Sequence, residues 1–442
     1  MRPGLKALLL GAAVFLIYNA NGREIGTYDS QPTKFLARQI VANRTLTLDR
    51  VVDATPAYAA RPGFAKARDG HFRSAYSLAP AFLAAAVGWL ASRLGLIDFE
   101  APLAPALVAK VTASLLVTVA VVTMFYVARK RCSDRIAMFI AIGLALGTNL
   151  WAVASQTLWQ HETSIAATAA ALLLFCRGEG QLTTSRVAIA SALLGVAVWS
   201  RVQMLPSAVI LIFGLLVRTR RSRLIAACLP FAIVLGPVFL LNVLWFGSPF
   251  GGAVALELLH PSVHGVSGTF SAEPWNGALG LLVSPSRGLL VFSPIVLAAA
   301  AGIGPVLRQP WREDGRWCLA AAVLQFVVYA FYTVWWGGHT YGPRYCLDVL
   351  PFLVPLVGAG GSFFGSHALS RVLLFAALGW SLLLAATGAF CYPADQWNTV
   401  PDDVDTHHAR LWDWRDPQFV RCWKRGFSPQ NFGLLDRAAF RK

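Results

Sequence analysis

Three polar segments of the chain carry residues whose types suit work on a phosphate-bearing substrate. Residues 26–32 hold one acid, Asp29, and residues 284–288 and 341–345 hold Arg287 and Arg344. A carboxylate can orient a nucleophile or accept its proton. An arginine can bind phosphate oxygens through paired, charge-assisted hydrogen bonds. The three segments therefore indicate chemistry beside a phosphate group, provided that the fold brings them together.

The composition indicates that the elements positioning these segments lie in a membrane. Of the 442 residues, 56% are hydrophobic and 14% are charged, whereas a soluble domain carries about 25% charged residues. The apolar residues form long blocks, such as 136–155, 224–246 and 288–307. Each block approaches the roughly 20 residues that cross a bilayer as a helix. The sequence therefore predicts a polytopic membrane protein.

The positive charge is distributed as in a protein with many membrane spans. The formal net charge is +16, which in a soluble protein would suggest nucleic-acid binding. Here the basic residues form short clusters between apolar blocks, and with the N-terminus inside, every short basic loop falls on the inner side. This pattern argues against nucleic acid as a partner. It predicts spans at about 4–20, 104–128, 136–156, 163–176, 187–200, 203–217, 224–246, 288–307, 317–336, 345–360 and 372–390.

The predicted outer side holds most of the polar chain. A membrane domain at 1–391 includes a large first outer loop at 21–103, and a polar tail follows at 392–442. Residues 75–93 are apolar enough to span, but a span there would turn every later basic cluster outward, so we expect a helix at the outer membrane face. The predicted fold is all-α and polytopic, with about eleven transmembrane helices and interfacial helices in the first loop.

Two local features follow from the order of the residues. Residues 35–41 predict a short amphipathic helix on the membrane surface directly after Asp29. Asp29 therefore either takes part in chemistry or caps that helix. Residues 187–217 are predicted to form two helices, because basic residues at both ends require both ends to lie inside. Arg201 with Pro206 marks the outer turn between them.

Two pairings stay open at this point. Arg344 can bind a ligand, but it can also pair with lipid headgroups or with Asp348 one helical turn away. Cys391 and Cys422 both fall on the predicted outer side, where an oxidising compartment would permit a disulfide between them. The seven cysteines show no metal-binding spacing.

Together the polar segments resemble those of the GT-C glycosyltransferases, the polytopic family that includes protein O-mannosyltransferases and the aminoarabinose transferase of lipid A. The resemblance runs from about residue 20 to residue 360. Family members carry an acid early in the first outer loop, matched by Asp29, and a later glycine- and tyrosine-containing stretch, matched by residues 69–80. Residues 284–288 and 341–344 are similar to segments of a bacterial branch classed with family 39. Ser30 stands where many relatives have a second acid, which puts metal assistance in doubt.

The resemblance implies that a sugar moves from a polyprenyl-phosphate-linked donor to a lipid, glycan or protein acceptor at the outer side of the inner (plasma) membrane. The N-terminus would be cytoplasmic and the C-terminus extracytoplasmic. Asp29 would be catalytic, and Arg287, Arg344 and Lys66 would bind the donor phosphate. No cofactor is expected, although a divalent metal could bind. Further substrate contacts are expected from His161, Glu162, His339 and Tyr341.

A transporter or flippase is the main alternative, and a non-catalytic membrane scaffold is a third. Transporters place ionisable residues near the bilayer midplane and interrupt their helices there. The interiors of the predicted spans hold few such residues, with Lys110 and Arg201 toward the outer ends. This distribution and the large first loop favour a glycosyltransferase. Convergence of Asp29, Arg287 and Arg344 on one outer cavity is the geometric test.

Overall fold

The apolar blocks of the chain form helices, as their composition predicts. A computed structural model describes residues 2–61, 63–176, 182–218, 223–258, 260–308, 313–366 and 368–435. The helices are α1 Pro3–Asn19, α2 Gln31–Asn43, α3 Asp49–Ala54, α4 Leu78–Arg93, α5 Ala104–Arg129, α6 Asp134–Leu146, α7 His161–Phe175, α8 Thr184–Ser200, α9 Leu205–Arg218, α10 Leu224–Phe246, α11 Gly252–Glu257, α12 His260–His264, α13 Pro274–Val283, α14 Leu289–Phe292, α15 Ala300–Arg308, α16 Glu313–Ala330, α17 Leu350–Ser366, α18 Ala368–Cys391 and α19 Gln418–Arg425. Apart from one small sheet, the regular structure of the described residues is helical, as expected for an all-α polytopic membrane protein.

Helix length and composition support some of the predicted membrane spans more strongly than others. Among the described residues, α5, α10 and α18 are long and apolar enough to cross a bilayer. Shorter apolar helices include α1, α4, α7 and α8. The apolar block at 288–307 is divided into α14, the 3-10 segment Pro294–Ala299 and α15, because proline lacks the N–H that a continuous helix needs. The count of about eleven spans therefore stays a prediction.

Charged residues join several helix ends at one end of the bundle. Asp134, at the start of α6, binds Arg129 of α5 at 2.6 Å. Asp314, at the start of α16, binds Arg131 at 2.9 Å and also contacts Arg218 of α9. These ends belong to loops that the charge pattern predicts on the inner side. Their common position agrees with that grouping, whereas the side of the membrane stays a prediction.

The first loop forms a small cap of helices and one hairpin. Strand β1 (Phe64–Lys66) pairs antiparallel with strand β2 (Phe72–Ser74). Leu36 of α2 is fully buried and packs with Leu48 and Phe64, so the predicted amphipathic helix after Asp29 is present. Helix α4 forms the apolar helix expected within 75–93. Its location at the membrane face stays a prediction.

One connection agrees with a sequence prediction, and another settles a pairing that the sequence leaves open. Helix α8 ends at Ser200 and α9 begins at Leu205, so the block at 187–217 forms two helices with the break at Arg201. A disulfide joins Cys391 at the end of α18 to Cys422 in α19. This bond ties the described part of the tail to the helix bundle and places the tail over one end of it.

Candidate functional site

A cavity of about 1530 Å³ lies between the first loop, the adjoining helix ends and the tail. The turn before α2, the break after α8, the segment before α17 and the tail supply its polar residues. Val234, Val238 and Leu241 of α10 form part of an apolar wall. The cavity therefore offers charged groups and a surface for an apolar chain within one space.

Asp29 and Arg344 form an ion pair on the wall of this cavity, although 315 positions separate them. Asp29 lies in the 3-10 turn Tyr28–Ser30, and its Oδ2 accepts a hydrogen bond from Arg344 Nη1 at 3.1 Å. The Asp29 side chain is 35% exposed, whereas Arg344 is 8% exposed. The carboxylate is thus accessible to a ligand, and the guanidinium is held firmly beside it.

A fixed turn and two aromatic rings hold Arg344. Gly342 has a φ of +59°, and a Cβ there would lie 2.8 Å from the Phe292 ring, so only glycine fits this turn. The Arg344 guanidinium lies 4.6 Å from the centre of the Trp159 ring. Its Nε has no hydrogen-bond partner among the described residues. This nitrogen is itself buried, so the groups of Arg344 that can reach a ligand are the terminal nitrogens of the guanidinium.

Tyr76 of the first loop faces the same carboxylate. Burial, together with the negative charge of Asp29, raises the pKa of Tyr76 well above its ordinary value. The phenol therefore stays protonated at neutral pH and can donate a hydrogen bond toward Asp29. Tyr76 also lines the cavity, so the carboxylate is approached by two donors from different parts of the chain.

A second cluster of charged and polar side chains surrounds Asp348, behind the cavity wall. Its Oδ1 is 3.1 Å from His161 Nδ1, and its Oδ2 is 2.9 Å from Arg201 Nε and accepts a hydrogen bond from the Tyr329 hydroxyl. Arg201 Nη1 lies 3.2 Å from His161 Nε2, and Nη2 donates to the Tyr329 oxygen at 3.0 Å. These contacts orient Arg201 and His161, which both line the cavity.

The Asp29–Arg344 pair and the contacts of Asp348 contradict two alternatives raised by the sequence. Pairing of Arg344 with Asp348 is wrong, because Asp348 binds Arg201 and His161 while Arg344 binds Asp29. Capping of α2 by Asp29 is also wrong, because Ser30 occupies the cap position and no side chain caps that helix. The Asp29 carboxylate points to Arg344 across the fold instead.

Arg287 lies apart from this site. It is fully buried and does not line the cavity. Its guanidinium donates five hydrogen bonds, at 2.8 to 3.2 Å, to the backbone oxygens of residues 286, 336 and 338 and to the side chains of Gln418 and Asn398. Five N–H groups are all that an arginine has. The predicted convergence of Asp29, Arg344 and Arg287 is therefore found for the first two only.

The remaining predicted residues lie in different surroundings. Lys66 is exposed on β1 and does not line the cavity. Glu162 is fully buried at the start of α7, and the Tyr341 hydroxyl donates to the backbone oxygen of Leu384 at 2.9 Å. His339 lines the cavity on its tail side. The structure thus brings His161 and His339 to the cavity and leaves the other three away from it.

Asp395 is a cavity residue that the sequence interpretation did not include. It is 5% exposed, and neither carboxylate oxygen has a hydrogen-bond partner among the described residues. Burial raises the pKa of Asp395 to about 6. A carboxylate without a partner beside a polar cavity can accept hydrogen bonds from a bound ligand.

Arg201 was also missed as a site residue, because its position beside Pro206 was sufficient to explain it as a turn. The available signal was an arginine on the predicted outer side, where the positive-inside bias leaves few. The same criterion had selected Arg287 and Arg344. Applied to every predicted outer turn, it would have added Arg201, but it does not separate accessible arginines from enclosed ones.

Comparison with known proteins gives a match in structure rather than in sequence. No protein-family model matches the chain, and no curated protein sequence matches it. ArnT from Cupriavidus metallidurans, solved with bound undecaprenyl phosphate, matches with a TM-score of 0.50 and 12% identity over 98% of this chain and 77% of its own. An Archaeoglobus fulgidus oligosaccharyltransferase tethered with an acceptor peptide matches with a TM-score of 0.51 and 13% identity, over 98% of this chain and 63% of its own.

The apo form of that oligosaccharyltransferase matches with a TM-score of 0.50 and 15% identity, and 60% of its length is covered. This chain thus spans less than two thirds of the archaeal enzyme and a larger share of ArnT. At such identities a match indicates the path of the backbone and not the chemistry. The chain has the fold of the GT-C membrane glycosyltransferases.

Proposed function

We propose that the chain is a glycosyltransferase that moves a sugar from a polyprenyl-phosphate donor to an acceptor at the outer side of the membrane. The observation that carries this proposal is the ion pair of Asp29 and Arg344 on the wall of a cavity that also has an apolar side. The shared fold supports it, because ArnT was solved with undecaprenyl phosphate.

In the proposed reaction an acceptor hydroxyl or amine attacks the anomeric carbon of the donor sugar. The new bond forms as the bond from that carbon to the phosphate oxygen breaks, and the phosphate leaves with the bonding electrons. Asp29 accepts the proton of the nucleophile, or orients it until the proton is lost. The leaving phosphate is already a weak base, so the acid carboxylate that a glycosidase requires is not needed here.

Arg344 would stabilise the phosphate as it gains charge. Its partly dry position on the cavity wall favours a strong contact between its terminal N–H groups and phosphate oxygens. In the structure Arg344 contacts Asp29, so a bound phosphate would share the guanidinium with the carboxylate. This arrangement would hold the base and the leaving group next to each other around one reacting carbon.

Arg201 is the second arginine that we place at the donor phosphate. It lines the same cavity, and Asp348, His161 and Tyr329 fix its orientation from behind. Such support matters because a preoriented charge does not have to reorganise during the reaction. Arg287 and Lys66 are left out of the proposed phosphate site because neither lines the cavity.

The apolar wall would accommodate the first isoprene units of the donor. Val234, Val238 and Leu241 belong to α10, and of the 23 residues of that helix only Ala227 and Leu235 are buried within the protein. The wall is therefore continuous with a helix that would face lipid. A prenyl chain could lie along it while its phosphate reaches Arg344.

Sugar transfer and lipid translocation can be separated in proteoliposomes. Mass spectrometry of envelope lipids and glycans, with and without the gene, first identifies the donor and the product. The purified protein is then reconstituted with that labelled donor and its acceptor. We expect stoichiometric formation of the glycosylated acceptor and of free polyprenyl phosphate. Movement of intact donor across the bilayer without product would show a flippase and contradict the proposal.

A further inference from the structure

We infer that His339, Asp403 and Asp405 form a divalent-cation site on the tail side of the cavity, of a kind that suits Zn²⁺. All three residues line the cavity. His339 precedes α17 in the membrane domain, whereas the two acids lie in the tail. The site is separate from Asp29 and Arg344 in the chain, and it does not depend on the proposed transferase function.

The distances between the possible ligand atoms match those around a small four-coordinate ion. His339 Nε2 is 2.8 Å from Asp403 Oδ1 and 3.4 Å from Asp405 Oδ2. The three ligand atoms lie within 4.8 Å of one another. Zinc held at about 2.0 to 2.1 Å by nitrogen and oxygen in a tetrahedron requires ligand atoms roughly 3.3 Å apart. Small side-chain adjustments would therefore complete the coordination.

Neighbouring groups hold Asp405 in the orientation that a ligand needs. Trp336 Nε1 donates to Asp405 Oδ1 at 2.7 Å, and His264 Nδ1 lies 3.2 Å from the same oxygen. Oδ2 is the oxygen that remains directed at His339. Outer contacts of this type are a regular feature of protein metal sites, where they fix the ligand and raise its basicity. A simple surface ion pair has no need of them.

The charge balance also favours a cation. Among the described residues, the ion pairs of Asp403 and Asp405 are all with histidines. Neither carboxylate is paired with a lysine or an arginine among these ion pairs, so two acids lie close together without a permanently charged side chain between them. A divalent ion bound by two carboxylates and one neutral imidazole would be neutral overall. Three protein ligands would leave a fourth position for water or for an oxygen of a ligand in the cavity.

Metal content of the full chain tests this inference directly. The protein is purified in nanodiscs, stripped with EDTA, incubated with Zn²⁺ and separated from free metal before elemental analysis. We expect about one equivalent of zinc in the wild type. Asp403→Asn removes the most exposed ligand of the three and should lower the affinity by more than about 100-fold, because even loss of an outer contact costs about 10- to 100-fold.

Two further samples make the result specific. His71→Ala is the matched control, because His71 also pairs with one carboxylate, Asp49 at 2.7 Å, but belongs to no described three-ligand group. It should keep the full equivalent. Trp336→Phe should weaken zinc binding about 10- to 100-fold through the orientation of Asp405. Absence of bound zinc in the wild type, or retention of full affinity by Asp403→Asn, would overturn the inference. Equal loss in His71→Ala would overturn it as well.

Discussion

The sequence predicts a phosphate-binding role for both Arg344 and Arg287, but the structure places the two side chains in different surroundings. Each follows a polar turn before an apolar block, and each is buried in the structure. Arg344 pairs with one carboxylate and lines a cavity. Arg287 has five protein acceptors for its five N–H groups. Burial of an arginine therefore does not by itself identify a ligand site, because its donors can all be paired within the protein.

The two surroundings also connect different parts of the molecule. Four of the five acceptors of Arg287 come from the segment before α17 and from the tail. Arg287 thus holds the tail against the bundle with bonds that only a planar guanidinium can make together. Arg344 instead joins the first loop to the segment before α17. Arg287 thus ties the tail to the bundle, whereas Arg344 lies on the cavity wall.

Replacement of Arg287 should have the largest effect, and it should be an effect on folding. Arg287→Ala leaves buried acceptors without donors and a cavity in place of the side chain. We expect a loss of about 3 to 5 kcal/mol of stability, seen as low yield and a lower Tm. Arg287→Lys should not restore it, since lysine cannot reach five acceptors. Normal yield and Tm in Arg287→Ala would remove the contrast between the two arginines.

Replacement of Arg344 should affect donor binding and leave the fold intact. Arg344→Ala removes a charged contact worth about 1.5 to 3 kcal/mol, which corresponds to roughly 10- to 100-fold weaker donor affinity. Arg344→Lys should fall between Ala and wild type, because lysine keeps the charge but loses the paired hydrogen bonds. Arg38→Ala is the control, since Arg38 forms an ion pair with Glu100 outside the cavity. Unchanged donor affinity in Arg344→Ala would exclude its phosphate role.

Asp395 extends the comparison to a buried acid and should give an effect on stability that depends on pH. Its pKa in the folded protein is raised to about 6 by burial, so the folded state holds the proton more tightly than the unfolded state. The associated stability is present below about pH 4 and is lost as the pH rises to about 6. The neighbouring charges of Arg421 and Arg287 act in the opposite direction and limit the shift.

The variant Asp395→Asn should remove this loss of folding stability with rising pH. We expect its Tm at pH 8 to exceed that of the wild type, with a gain of up to about 2 to 3 kcal/mol, and we expect the two proteins to agree near pH 4. Thermal unfolding of both proteins from pH 4 to pH 8 measures the difference. A parallel pH dependence in the two proteins would show that Asp395 is not the titrating group.

Residue type and position along the chain were sufficient to predict part of the site. Asp29 is the only acid within residues 26–32, shortly after the first apolar block, and Arg344 is a basic residue in an outer turn, where the charge bias predicts few. Both predictions require only local sequence and the membrane as a reference. The helices α2, α4 and the pair α8 and α9 follow from the same information.

The partners of these residues depend on packing and could not be predicted. Asp348 lies 147 positions from Arg201 and 187 from His161, and no local pattern relates them. The same holds for Arg287, whose acceptors Asn398 and Gln418 are more than 100 positions away. A sequence shows that an arginine is unusual for its place. Only the fold shows whether its hydrogen bonds are already used.

The rate of sugar transfer by Asp29→Asn tests the central claim most directly. The amide keeps the size of the side chain and loses the base, so we expect turnover to fall roughly 100-fold or more with an unchanged Tm and with donor affinity within a few-fold of the wild type. Asp69→Asn is the matched control in the same loop, since Asp69 pairs with Arg73 away from the cavity. It should transfer sugar at the wild-type rate. Near-wild-type turnover by Asp29→Asn would contradict the assignment of the catalytic carboxylate.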